Sequence, residues 1–305
     1  MKALITGSEG FVGRYLRREL EDSGYQVVGV DLTPGKDAIQ ADLTDSDQVL
    51  RTVEREAPDV VFHLAALANV GLSWRKPQLT FQLNVISAVN LMESLRVLGS
   101  KAALVIVGSS DQYGPLGAAG ASVREDQPMR PVSPYAVSKI AQENMGRLYA
   151  ESYGLDVRMT RSFNHGGAGQ KPGFMIPDFA SGIVRIERKQ QSELSVGNLA
   201  AKRDFTHVKD MVRAYRLIAE KGKPGTVYNV GSGKVWSARE VLDRLIGMAE
   251  CPIPVRQDPA RMRPSDTPVV CCDHSRLTED TGWMPVYSLD DILRDTLAYY
   301  RGLPE

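Results

Sequence analysis

Four residues have the types and spacing to do chemistry: Ser109, Asp111, Tyr135 and Lys139. Tyr135 and Lys139 stand four apart in "SPYAVSK", within a stretch whose spacing predicts a helix over 134–152, so they share one helix face. A phenol of ordinary pKa, about 10, is a poor acid–base group at neutral pH, and a neighbouring ammonium would stabilise its phenolate. Ser109 ends the apolar run "AALVIVGSS", where its hydroxyl can hydrogen-bond the same substrate oxygen as Tyr135. Asp111 follows in "VGSSDQYG". Transfer of a hydride and a proton to a ketone has no need of that carboxylate, whereas removal of water beside the reacting carbon does need an acid–base group there.

A second constellation sits at the start of the chain. "TGSEGFVG" places Gly7, Gly10 and Gly13 directly after an expected strand and at the opening of an expected helix, 12–23. Glycines in that context allow a tight turn, close approach to a pyrophosphate and close helix–strand packing. The helix N-terminus adds N–H donors and a favourable dipole. No Gly-Lys-Ser/Thr follows, which excludes a P-loop. Asp31 ends the next strand, 24 residues after Gly7, where a carboxylate accepts from an adenosine ribose and repels a 2′-phosphate. Glu9 adds negative charge beside it and Arg14 is the one nearby base. The expected cofactor is therefore NAD(H) in preference to NADP(H), with NADP(H) possible.

The elements that must position these groups alternate. "KALIT", "QVVGVD", "DVVFHLAA", "AALVIVGSS" and "LDVRMTRSF" read as strands, and helical spacing fills 46–56, 78–98 and 134–152 between them. Runs apolar on both faces suit a buried parallel sheet. The expected architecture is α/β, a doubly wound parallel sheet (Rossmann) with a smaller C-terminal substrate-binding domain. Residues 1–165, with returning segments near 201–232, form the dinucleotide-binding part. Residues 166–200 and 233–305, rich in Gly and Pro, form the part expected to close on a substrate.

Composition narrows the class. The 305 residues are 43% hydrophobic and 24% charged, with a formal net charge of zero, so nothing points to a nucleic-acid or membrane partner. Cys251, Cys271 and Cys272 are too few for a disulfide framework and offer no metal-ligand spacing; no metal is expected, and a reducing cytoplasm fits. The opening "MKALITG" is too short in apolar residues for a signal peptide and reads as the first strand.

Across nearly the whole chain the motifs "TGSEGFVG", "ADLTD", "HLAA", Asn84, "SSDQYG", "SPYAVSK" and "RSFNH" occur in the order of the extended short-chain dehydrogenase/reductases, which the sequence resembles. The resemblance implies a catalytic set of Ser109, Tyr135 and Lys139, with Tyr135 exchanging the proton of the reacting hydroxyl. It implies a cofactor site of Gly7, Gly10, Phe11, Val12, Gly13, Asp31, Asp42, Leu43, Leu64, Ala65, Ala66, Asn84, Tyr135 and Lys139. Asp42 and Leu43 would lie by the adenine, and His63 is then a strand residue rather than a ligand. "RSFNHGGAGQ", "RDFTHVKD", "YNVGSG", "RMRPSD" and "TGW" are similar to the GDP-sugar branch of the family, the GDP-mannose 4,6-dehydratases and the GDP-4-keto-6-deoxymannose reductases. That implies a GDP-sugar substrate held by Ser109, Ser110, Asn164, Arg203, Arg263 and Asp266, the arginines gripping the diphosphate. It also implies a homodimer built on the helices 78–98 and 134–152.

Within that branch Asp111 decides. The dehydratases carry a glutamate at its place, one methylene longer, and usually a longer chain with an arginine-containing loop; here only "TPGKDAIQ" lies between the second and third strands. A displacement of roughly an ångström can cost about a hundredfold where geometry is strict. The expectation is a reductase of a GDP-4-keto-6-deoxyhexose, giving a GDP-6-deoxyhexose of the GDP-D-rhamnose type, with Asp111 an inherited sugar-side residue. The alternatives are a 4,6-dehydratase, a nucleotide-sugar 4-epimerase and, from another class, a dinucleotide sensor with no use for a proton donor.

Overall fold

The computed structural model describes residues 1–33, 35, 38–115, 122–261 and 269–304. In chain order its strands are β1 (Lys2–Thr6), β2 (Gln26–Asp31), β3 (Ala38–Gln40), β4 (Val60–His63), β5 (Ala103–Ser109), β6 (Ser122–Val123), β7 (Val157–Ser162), β8 (Asn164–Gly166), β9 (Leu194–Val196), β10 (Lys202–His207), β11 (Val227–Val230), β12 (Val235–Ser237), β13 (Val255–Gln257) and β14 (Val269–Cys272). The helices are α1 (Phe11–Asp22), α2 (Ser46–Glu56), α3 (Val70–Arg75), α4 (Pro77–Phe81), α5 (Ser87–Val97), α6 (Pro134–Tyr153), α7 (Met175–Glu187), α8 (Val208–Lys221), α9 (Ala238–Gly247), α10 (Ser275–Thr281) and α11 (Leu289–Arg301).

Seven strands make one sheet in the order β11-β7-β5-β4-β1-β2-β3, every pair parallel. The doubly wound sheet expected from the alternating pattern is therefore present. β4 is buried at all four residues and β7 at all six, as strands covered by helices on both faces must be. One face packs Ile5, Phe62 and Val105 against Leu16 of α1 and Met211 and Tyr215 of α8. The other packs Leu4, Val61 and Leu104 against Val53, Leu91 and Tyr149 of α2, α5 and α6. Because β1, β2, β4, β5 and β7 run the same way, their carboxyl ends gather Gly7, Asp31, Leu64, Ser109 and Asn164 along one edge, where ligands bind in such sheets.

A second sheet runs β12-β10-β14-β6, with β8 also paired to β10. It leans on its own apolar core of Ile183, Phe205, Leu242, Ile292 and Leu293. Asp210 explains two of the sequence motifs: its Oδ2 accepts from Val286 N and Tyr287 N, both at 2.9 Å, and its carbonyl takes Trp283 Nε1 at 3.0 Å. The "TGW" tail is thereby clipped to α8.

The helix expected over 78–98 is broken. α4 passes into a π-helical turn, Gln82–Ile86, before α5 begins. The wide turn carries Asn84, which is fully buried, inward to a set of partners that a regular helix would not let it reach.

Candidate active site

The first turn of α1 is built to face an anion. Its N-cap is Gly10, with no side-chain cap, and no acidic residue occupies the first turn. The leading N–H groups of Phe11, Val12 and Gly13 lack partners within the helix and point outward. Gly7 adopts φ +72, and a Cβ there would sit 2.9 Å from Ala65 N. A Cβ on Gly13 would lie 2.3 Å from Gly7 O and 2.8 Å from Ser8 Cα. Only glycine leaves this cradle open, so the residues present fit a dinucleotide pyrophosphate. Gly13→Ala is expected to cost about 1–3 kcal/mol of stability by overpacking and to weaken NAD(P)H binding about tenfold or more. Thermal unfolding and a fluorescence titration check this, and an unchanged Kd would contradict the assignment.

Asp31 is fixed at the end of β2 by two backbone donors, Glu9 N to Oδ2 and Thr33 N to Oδ1, both at 3.0 Å. Glu9 extends from that contact toward Arg14, whose guanidinium stands 3.9 Å away. Asp42 accepts from Thr44 N and Thr44 Oγ1 at 2.9 and 2.8 Å, and the Leu43 carbonyl accepts from Asn90 Nδ2 at 2.9 Å. Leu64 and Ala65 leave β4 bonded to Thr6, through Leu64 N to Thr6 O at 3.2 Å and Ala65 N to Thr6 Oγ1 at 3.3 Å, which runs this loop beside Gly7. Asn84 braces the same loop from behind: its amide takes Leu67 N at 2.7 Å and donates to Leu67 O at 3.3 Å and Ser138 Oγ at 2.9 Å. Its side chain thereby ties the loop after β4 to α6. His63 is buried between Thr6 Oγ1, 2.8 Å, and Ser87 Oγ, 3.4 Å, and burial pushes its imidazole down to about 3. It is a neutral strand residue.

α6 carries Tyr135 and Lys139. Ser133 caps it by accepting from Ala136 N at 3.1 Å, and Pro134 stands at its first position, so Tyr135 lies in the first turn at a fixed angle. Tyr135 lies beside Ser109, and Asp111 is close enough to act on it electrostatically. Burial first, then the Asp111 carboxylate, push the phenol well above its ordinary value, with the Ser109 hydroxyl acting the other way. Asp111 N in turn donates to Ser109 Oγ at 3.2 Å.

Lys139 follows Tyr135 by one turn and is anchored on both sides. Its Nζ donates to Val107 O at 2.8 Å and Gln142 Oε1 at 2.9 Å, and burial lowers it to about 7.

Of the residues expected to hold a substrate, Ser110 is buried in the turn after β5. Asn164 pairs across β8 and β10 with Phe205, two residues from Arg203, so Asn164 and Arg203 lie on adjacent strands. Arg203 donates to Lys202 O at 2.8 Å. Its neighbour Asp204 braces the strand by accepting from Ser232 N, Ser232 Oγ, Gly233 N and Cys272 N at 2.6–3.1 Å. Arg263 and Asp266 lie outside the described residues.

One group went unnoticed in the sequence. Beneath the Ser109–Tyr113 turn, Gln112, Glu143 and Arg161 form a buried polar chain that continues to Glu125, Asn229 and Tyr113. The signal was available: Glu143 continues the Tyr135, Lys139 face by one more turn, and Arg161 is a charge, with Arg158, inside a run that reads as a sheet strand.

A glycine-cradled helix N-terminus at the carboxyl edge of a parallel sheet, with Ser109 and Tyr135 side by side next to it, defines an NAD(P)-dependent oxidoreductase of the extended short-chain dehydrogenase/reductase type. The family described as GDP-mannose 4,6 dehydratase matches residues 4–296, and the chain belongs to it. It is 33% identical to a GDP-6-deoxy-D-mannose reductase of Pseudomonas aeruginosa over 97% of this chain and 96% of the relative. Its fold matches a structure of RMD from Pseudomonas aeruginosa complexed with NADPH at TM-score 0.90, 32% identity and 98% coverage of both chains. It matches a UDP-glucose 4-epimerase of Thermus thermophilus in complex with NAD equally well, at TM-score 0.90, 30% identity and 99% coverage of both. Equal fit to a reductase and an epimerase means that side chains, not the backbone, carry the choice of reaction.

Proposed function

We propose that the protein reduces the 4-keto group of a GDP-4-keto-6-deoxyhexose, giving a GDP-6-deoxyhexose of the GDP-D-rhamnose type. The observation that carries this is the 33% identity, over 97% of this chain, to a GDP-6-deoxy-D-mannose reductase. Asp111 fits the same reading: it stands in "SSDQYG" where a dehydratase would need an acid–base group of strict reach, and aspartate is one methylene shorter than glutamate.

Bound NAD(P)H supplies the hydride for carbon 4. The Ser109 hydroxyl donates to the carbonyl oxygen and orients it, and Tyr135 Oη gives that oxygen its proton as negative charge develops. A positioned donor of this kind contributes roughly a hundred- to ten-thousandfold. Lys139, tethered on Val107 O and Gln142, presents its ammonium from the next turn of α6 to the cofactor ribose. Asp31, with Glu9 beside it, favours NADH over NADPH by repelling a 2′-phosphate. Asp111 meets the sugar hydroxyls. Asn164, Arg203, Arg263 and Asp266 hold the GDP moiety.

A homodimer completes the reading. α3 through α6 expose Trp74, Phe81, Ile86, Val97, Val137, Leu148 and Tyr153, an apolar set that a two-fold partner presenting the same helices would cover. No helix among the described residues is long and apolar enough to cross a membrane; the expected site of action is the cytoplasm.

The test is to supply GDP-4-keto-6-deoxymannose, made by a separate dehydratase, with NADH or NADPH, and to follow reduced-nicotinamide absorbance and nucleotide-sugar products. One cofactor oxidised per GDP-deoxyhexose formed, faster with NADH, is expected. No oxidation would overturn the proposal.

A further inference from the structure

We propose that Gln112 is a positioning residue that locks the strand end carrying Ser109 to the helix carrying Tyr135. The inference rests on the catalytic reading of Ser109 and Tyr135. Gln112 is fully buried and uses both ends of its amide. Oε1 accepts from Ser109 N at 3.0 Å, and Nε2 donates to Glu143 Oε2 at 2.7 Å. Glu143 lies one turn beyond Lys139 and two beyond Tyr135 on α6. One side chain therefore spans from the backbone of the catalytic serine to the helix of the catalytic tyrosine.

Both ends of the span are anchored. Arg161 of β7 grips Glu143 through Nε to Oε2 at 2.8 Å and NH2 to Oε1 at 2.7 Å, and Arg147 adds a contact at 3.0 Å. The backbone of Gln112 is held by Arg130 N, which donates to Gln112 O at 3.1 Å. The neighbouring backbone makes room for the amide: a Cβ on Gly108 would sit 2.7 Å from Gln112 Oε1 and 2.2 Å from Thr160 O. The "VGSSDQYG" motif thus contains a glycine whose missing side chain is the space its glutamine occupies.

The direction of each hydrogen bond makes the role testable. Gln112 must accept at one oxygen and donate from the other end. Leucine has nearly the same shape and does neither. An introduced carboxyl does both only when protonated, its carbonyl taking Ser109 N and its O–H going to Glu143. Ionised, it repels Glu143, which Arg161 keeps charged. The charged groups facing this point are Glu143 and Arg147 from α6 and Arg161 from β7. Behind them stand Glu125, whose carbonyl accepts from Arg161, and Arg276 of α10, 3.7 Å from Glu125; Asp111, Tyr135 and Lys139 lie on the catalytic side. A carboxyl placed against a carboxylate held by arginine takes up its proton above the usual carboxylate range.

The experiment compares wild type, Gln112→Leu, Gln112→Glu and Tyr135→Phe in ketone reduction between about pH 5.5 and 8.5, with thermal unfolding and NAD(P)H titration of each. Gln112→Leu is expected to lose about ten- to a hundredfold in kcat at every pH, with cofactor affinity unchanged because the glycine cradle is elsewhere. Gln112→Glu is expected to be as poor at alkaline pH and to recover toward wild type as the pH falls, a change in profile that mere loss of packing cannot produce. Wild-type kcat in Gln112→Leu, or a Gln112→Glu profile parallel to wild type, would overturn the proposal. If Gln112→Leu does not fold, the Gln112→Glu profile decides alone. Tyr135→Phe separates the two readings: if it is inactive while Gln112→Glu follows wild type, positioning by Gln112 fails and the catalytic site stands; if it is fully active, both fail.

Discussion

Tyr135→Phe is expected to lower kcat for ketone reduction by roughly a hundred- to ten-thousandfold while leaving NAD(P)H affinity within about twofold. The phenol is buried at the start of α6 beside Ser109, so removing one oxygen atom takes away the proposed proton donor without disturbing the fold. The glycine cradle at α1 is untouched, which is why binding should survive. Steady-state kinetics with a fluorescence titration of the cofactor separates the two effects. Retention of wild-type kcat would remove Tyr135 from the chemistry; loss of cofactor binding in parallel would assign it to the binding site instead.

Arg161→Met carries the largest expected effect on stability. Arg161 and Glu143 are each about 2% exposed and joined by two hydrogen bonds. Truncating one partner of a buried pair leaves the other charge uncompensated, at a cost of about 3–5 kcal/mol. Adding Glu143→Met should recover more than half of that, because the stranded charge is gone. Urea unfolding of the single and double variants measures both, and equal stability of wild type and Arg161→Met would contradict the account. The pair also fixes a pH dependence. Burial alone would raise Glu143, but Arg161, Gln112 and Arg147 outweigh it and hold the carboxyl below its ordinary range. Its contribution is therefore fully present above the unfolded carboxyl value and is lost as the pH falls through the folded one. Arg161→Met should flatten the acid limb of stability against pH.

Periodicity and motif order made the parallel sheet, the glycine cradle and the Tyr135, Lys139 face legible, because each depends on short-range spacing that strand and helix geometry enforces. What could not be read was where polar atoms end up. Lys139 stands at the expected spacing, but that its ammonium is also anchored on Val107 O and Gln142, residues on two different elements, depends on the tertiary fold. Asn84 was visible as a motif residue, but its inward turn depends on a π-helical wide turn that apolar spacing does not reveal. Gln112 was no more than the residue after Asp111 until Glu143 and Arg161, 31 and 18 residues from their partners along the chain, closed around it. Such buried polar pairs are tertiary facts, set by which strands neighbour which helix.

The most direct test of the central claim follows the hydride. The protein is given GDP-4-keto-6-deoxymannose and NADH deuterated at the transferring position, and separately GDP-mannose with unlabelled NAD. Reduction predicts one deuterium on carbon 4 of the GDP-deoxyhexose for each cofactor oxidised, and no conversion of GDP-mannose. Turnover of GDP-mannose to its 4-keto-6-deoxy form, with the cofactor recycled and no label taken into a product, would contradict it. That result would make Asp111 the acid–base group of a dehydratase.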